Sequence, residues 1–156
     1  MTAIDLLESL KEYIRGKTED LQLWARVPED GTESARRPPK VFTGNLPEKE
    51  DEKKAAPYIL LKLLTTKSED EERTAMVRII VVTYSEDKEE NYIQCLNVLS
   101  LLERVFLEDG MVANRYSCQK PIETLMYDED FEVYQIGEMM TTWELPQIER
   151  NVRQYV

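Results

Sequence analysis

Carboxylates are the only abundant reactive groups in this chain, and three clusters stand out: Glu69 to Glu72, Glu86 to Glu90 and Asp128 to Glu132. Such oxygen-rich runs could hold a divalent cation. A calcium loop, however, needs ligands at alternating positions and a glycine at its sharp turn, and none of the three clusters has that spacing. They read as solvated turns at strand and helix ends. Paired carboxylates could also do glycosidase-type acid–base work. With 31 acidic residues some pair is always close, and no spacing selects one. Histidine is absent, which removes Ser-His-Asp and Cys-His nucleophilic sites and every His-containing zinc site. Two cysteines, Cys95 and Cys118, are too few for a thiolate-only structural site. Gly16, Gly31, Gly44, Gly110 and Gly137 form neither a GxGxxG turn nor a Walker A loop. The expectation is a protein that is not an enzyme and needs no cofactor or metal.

Binding surfaces are the remaining candidates. Arg36, Arg37 and Lys40 flank Pro38-Pro39 in an otherwise irregular stretch. They are either an arm that docks on an acidic neighbour or a solvated loop. Phe42, one of few apolar residues there, joins them as a contact candidate. Lys62 and Arg78 interrupt apolar strands. A charge in a strand interior needs water or a partner, so they either snorkel at a sheet margin or pair between subunits. Trp143 with Met139 and Met140 is the third group, because aromatics and methionine are enriched at interface cores; the alternative for Trp143 is the core of its own domain.

The net charge of −11 at neutral pH argues against nucleic acid as a tightly held ligand, since phosphate neutralisation needs clustered Lys and Arg. It argues equally against anionic membranes. A surface past which DNA slides without sticking is compatible with it. Cys95 and Cys118 fit no CxxC pattern and read as reduced thiols of a cytoplasmic protein. No basic leader and no run of about 18 apolar residues is present, so the expectation is a protein that leaves the cytoplasm only by lysis.

Elements must position these groups. Thr2 to Arg15 has the apolar spacing of a helix, with Ile4, Leu7, Leu10 and Ile14 as its stripe and Gly16 as terminator. Leu21 to Val27 alternates as a short strand. Residues 29–56 lack periodicity and are expected to be a long flexible loop. Tyr58 to Thr66 and Thr74 to Tyr84 form a hairpin, apolar on both faces. Asp87 to Leu107 is a long helix with Ile93, Leu96, Leu99, Leu102 and Phe106 as its main stripe, ended by Gly110. Tyr116 to Met126 is a strand pair or a bent strand around Pro121. Phe131 to Leu145 supplies one or two more strands, with Gly137 at a bulge or bend. The result is a single α+β domain over residues 1–146, with a mixed, mostly antiparallel sheet, two helices packed on one face, and a polar tail over 147–156. The face away from the helices is expected to keep apolar area for a partner.

The order of elements resembles a known family. The strand Ala56-Pro57-Tyr58-Ile59-Leu60-Leu61-Lys62-Leu63, the strand Val77 to Tyr84, the helix Asn91 to Leu107 and the closing Gly137-Glu138-Met139-Met140-Thr141-Thr142-Trp143-Glu144-Leu145-Pro146 look like the tail terminator, or tail completion, proteins of long-tailed bacteriophages and prophages. The likeness spans most of the chain outside residues 29–56. It implies a structural virion protein, assembled in the bacterial host cytoplasm, whose hexameric ring caps the tail tube and ends its growth. It further implies contacts with the tail-tube protein and the head–tail connector, and DNA that crosses the lumen without being bound. The alternative is a small cytosolic adaptor or regulatory module acting on one protein partner.

Overall fold

The computed structural model describes residues 2–26, 36–46 and 55–148. The first helix, α1 (Ala3–Thr18), starts on a capping box: the Thr2 hydroxyl accepts the Asp5 amide, and the Asp5 carboxylate accepts the Thr2 amide at 2.9 Å. Leu6, Leu10 and Ile14 are fully buried. Ile4, expected on the buried stripe, points outward, and Leu6 takes its place. Gly16 does not stop the helix, which continues to Thr18. It lacks the left-handed backbone of a helix terminator, and its Cβ position faces open space, so it costs only the modest penalty of glycine in a helix.

Two short strands follow, β1 (Leu23–Trp24) and β2 (Arg36–Arg37), paired antiparallel as a ribbon. The strand expected over Leu21 to Val27 is thus shorter. The sequence from Lys40 onwards is more regular than expected: β3 (Lys40–Thr43) pairs in parallel with the start of β4 (Tyr58–Ser68). Parallel neighbours require a crossover of about a dozen residues or more, which is a physical reason for the length of this part of the expected loop. Residues 29–35 and 47–54, which complete that loop, lie outside the described residues, as does most of the tail.

β4 turns back into β5 (Arg73–Tyr84) as the expected hairpin, with a register shift at Leu63/Thr65. The second helix, α2 (Lys88–Asp109), is capped by Asp87, whose Oδ1 accepts the Glu89 and Glu90 amides. It ends at Gly110, whose φ of 69° lets its amide close on the Phe106 carbonyl. After β6 (Met111–Val112), β7 (Tyr116–Met126) is one strand with a register shift between Gln119 and Glu123. β8 (Tyr134–Leu145) is likewise single. The order β3-β4-β5-β8-β7-β6 makes a six-stranded sheet, antiparallel except at β3.

Both helices pack on one face of that sheet, α1 over β3 and β4, α2 over β5, β8 and β7. Their shared core includes Ile59, Leu61, Val77, Ile79, Phe106, Met139 and Trp143. The buried stripe of α2 is rotated from the expected one. Ile93 and Leu96 are exposed, while Asn91, Cys95 and Val98 face inward. Asn91 fixes this rotation: its Oδ1 accepts the Thr83 hydroxyl at 2.8 Å and its Nδ2 donates to the Val133 carbonyl at 2.9 Å. The two hydrogen bonds of this buried amide are together of the same order as the burial of one more aliphatic side chain. Gly137 is no bulge. It stays in register between Val81 and Met126, and a Cβ there would sit 2.6 Å from the Leu99 side chain. Glycine is what allows α2 to lie this close to β8.

Candidate functional site

The second face of the sheet holds most of the residues singled out by sequence. Its half nearest Tyr58 is covered by the chain itself: Leu46, Ala55 and Ala56 pack with Phe42, Tyr58, Leu60 and Val82. The apolar area expected to remain for a partner on this face is therefore smaller at this end, where Leu46, Ala55 and Ala56 lie against it. Arg37 holds that cover in place. Its guanidinium donates to the carbonyls of Pro38 at 3.1 Å, Pro57 at 3.2 Å, Ala55 at 2.7 Å and Ala56 at 3.1 Å. Arg37 is therefore an internal clamp rather than part of a free docking arm. Arg36 lies over the Trp24 ring, 3.9 Å from its centroid, and Trp24 donates its indole N–H to Glu90. Lys40 is exposed at the sheet edge, its amide bonded to the Pro57 carbonyl. Phe42 is half-buried, with its ring edge-on to Tyr58. The basic cluster is thus divided, with the Arg36 and Arg37 side chains each engaged locally and Lys40 exposed at the edge.

The other half of this face, toward the hairpin tip, stays open. Met76 and Leu125 are 37% and 56% exposed, Met140 on the same face is half-buried, and Leu64, 43% exposed, sits at the register shift of β4. Arg78 lies at the centre. Its Nε donates to Glu138 Oε2 at 2.5 Å, its Nη2 donates to the Tyr127 hydroxyl at 2.6 Å, and that hydroxyl donates to the same carboxylate at 3.1 Å. The Glu138 bond holds the guanidinium's pKa above its ordinary value. The charge of Arg78 is therefore met within its own chain. Lys62 stands directly opposite Arg78 in the β4–β5 register, an unfavourable like-charge pair that Glu138 offsets.

Met139 and Trp143 belong elsewhere. Both are fully buried on the helix face; Trp143 donates its indole N–H to the Thr141 hydroxyl at 2.8 Å and meets Phe106 edge-on at 5.2 Å. Strand parity separates them from Met140, so of the three only Met140 remains on the accessible face. Glu138 and Tyr127 were missed from the sequence. The available signal was the alternation of β8, which puts Glu138 and Met140 on the face of Arg78.

The same face ends, beside Tyr58, in an open hollow of about 330 Å³ bordered by the turn after β7. Among the described residues no group of three or more His, Cys, Asp or Glu is arranged to hold a metal ion, and no described helix is long and apolar enough to cross a membrane. No protein-family model matches the chain, and a search of curated proteins gives no match either.

Proposed function

We propose that this chain is a structural assembly protein that closes into a ring, like the tail terminators it resembles. In this reading the ring, hexameric as in that family, caps a tail tube in the virion, ends its polymerisation and meets the head connector. The observation that carries the reading is the open half of the second sheet face, where Met76, Met140 and Leu125 share a face with the Arg78–Glu138 pair. Apolar residues on such a face favour a protein neighbour, and a methionine-bearing centre with a polar surround is interface-like. A heterologous contact repeated about an axis closes into a ring. The net charge of −11 would repel phosphates at a lumen wall and keep passing DNA mobile.

Two surface variants test it. Lys62→Glu sets a carboxylate opposite Arg78, and Met76→Glu puts a charge at the open centre. Both should leave the melting temperature near that of the parent while abolishing annular particles on tail tubes in negative-stain electron microscopy. Parent-like capping by both variants would remove this face from the proposed interface. A stable one-to-one complex with a single protein, without rings, would favour the adaptor instead.

A further inference from the structure

We infer that consecutive copies are joined edge to edge, the outer edge of β4 in one copy pairing antiparallel with the outer edge of β7 in the next, a joint that rests on the ring reading above. Both ends of the six-stranded sheet leave backbone uncovered. β3 pairs with β4 from Tyr58 to Leu61 and no further, and β6 pairs with β7 at Tyr116 and Ser117. Among the described residues no strand lies outside β4 from Lys62 to Ser68, or outside β7 from Gln119 to Met126. Each edge has a regular portion beyond its register shift: Thr65 to Ser68 in β4 and Glu123 to Met126 in β7. Side chains from Thr65 to Ser68 and from Glu123 to Leu125 are exposed. A bare strand edge is a template for another strand.

Chain direction, sterics and charge name a second copy as the occupant. β4, β5, β8 and β7 are successive antiparallel neighbours, so β4 and β7 run in opposite senses. Rotation about an axis roughly along the strands keeps those senses, and β7 of one copy meets β4 of the next antiparallel, the firmer pairing. β3 lies beside β4 as far as Leu61 and bars an incoming strand from that level, which directs Glu123 to Met126 against Thr65 to Ser68. Strand parity then sets Leu125 against Thr65 and Glu123 against Lys67 on the open face, with Thr124 against Thr66 on the other. Glu123 pairs with no cation among the described residues. Lys67 meets Glu69 at 2.9 Å, but both are exposed, and such a pair is weakly held. Opposite charges across a strand pair are favourable and like charges are not. Joining β4 to β4 gathers lysines, and joining β7 to β7 gathers carboxylates, so the two edges of this chain fit each other rather than themselves. Glu123 shares a row with Lys62 across the sheet, and Lys67 lies four rows further along, past Leu63, Thr65 and Thr66. Four rows at about 3.3 Å against four strand spacings at about 4.8 Å tilt the strands by about 35°, the tilt of closed sheets.

The test is a cysteine pair, Thr65→Cys with Leu125→Cys, placed in the full-length chain, oxidised at high concentration beside tail-tube protein and read on a non-reducing denaturing gel. β5 and β8 separate the two positions within a chain by three strand spacings, about 14 Å. A disulfide needs Cα atoms within about 7 Å, so the pair bonds only between copies. We expect a ladder of covalent oligomers that reaches six chains. It should be absent from the parent, which carries Cys95 and Cys118, and from either single variant. Lys67→Glu and Glu123→Lys should each lower the ladder yield by about two- to fivefold, and the two together should restore it. All four positions are exposed, and urea midpoints near the parent's would show that the variants remain folded. If a midpoint falls, Thr66→Cys with Thr124→Cys, on the other face, reads the same joint. A cross-linked pair from Thr65→Cys alone or Leu125→Cys alone would overturn the joint in favour of a two-fold contact, and failure of the charge swap to restore the ladder would overturn its register. Annular particles in negative stain that give no ladder would overturn the joint and leave the ring standing. A chain that stays monomeric throughout would overturn both.

Discussion

Replacing Arg37 by alanine should destabilise the chain more than any other change to an arginine of the basic cluster. Four carbonyls, at Pro38, Ala55, Ala56 and Pro57, lose a charged donor at once. A hydrogen bond to a charged group contributes about 1.5–3 kcal/mol. Four bonds from one guanidinium are not additive, and carbonyls freed at the edge of the cover regain water. We expect a net loss of about 2–4 kcal/mol. For a chain of this length that lowers Tm by about 5–15 °C. Urea denaturation followed by tryptophan fluorescence reports it, because Trp143 is fully buried; the midpoint should fall with little change in slope. Arg37→Lys should recover only part of the loss, since an ammonium is a point donor and not a planar fork. Hydrogen exchange supplies the local readout. The Lys40 amide, bonded to the Pro57 carbonyl at 3.2 Å, should lose protection in both variants. A loss in Arg37→Ala below about 0.5 kcal/mol, the scale of an ordinary surface change, would refute the clamp and with it the claim that Arg37 fastens Ala55, Ala56 and Pro57 to the sheet.

Three further outcomes are expected. Gly137→Ala forces a methyl to 2.6 Å from Leu99 and 3.2 Å from the Cys95 sulfur, in a fully buried site, and should cost about 1–3 kcal/mol by overpacking in a urea melt. Burial pushes the Cys95 thiol from 9.0 up to about 12 and the Cys118 thiol up to about 11. Both should therefore resist alkylation until the chain unfolds, and rapid labelling of Cys95 in the folded chain would contradict its burial. The unfolded chain releases those protons near pH 9 while the folded chain keeps them, so stability present below pH 9 should fall as pH rises toward 11–12; urea midpoints across that window measure it.

Much of this fold was legible because its elements carry strong periodic signals. The hairpin of β4 and β5, the span of α2 with its Gly110 terminator, and the alternation of β8 all follow from residue spacing. What failed has local causes. The rotation of α2 was not visible because Asn91 is buried through hydrogen bonds to Thr83 and Val133 that no hydropathy pattern encodes. The strand at Lys40–Thr43 is four residues long and pairs in parallel, so its signal lies in a partner 18 residues away. Gly137 looked like a bend because glycine in a strand usually marks one; its actual reason is the approach of Leu99 and Cys95. The candidate surface was legible in part. Alternation within the hairpin sets Lys62 and Arg78 on one face, whereas Met140 joins them only through the β5–β8 register. Spacing does not encode that Arg78 finds its carboxylate at home, that Arg37 is used as a clamp, or that Met139 and Trp143 are core.

Native mass spectrometry of the purified full-length chain, with and without tail-tube protein, tests the assembly claim most directly. One subunit weighs 18.3 kDa. A discrete closed species of six subunits is expected, lost in Lys62→Glu and Met76→Glu. A spectrum that holds at the single-subunit mass at high concentration and beside the tube protein would contradict it.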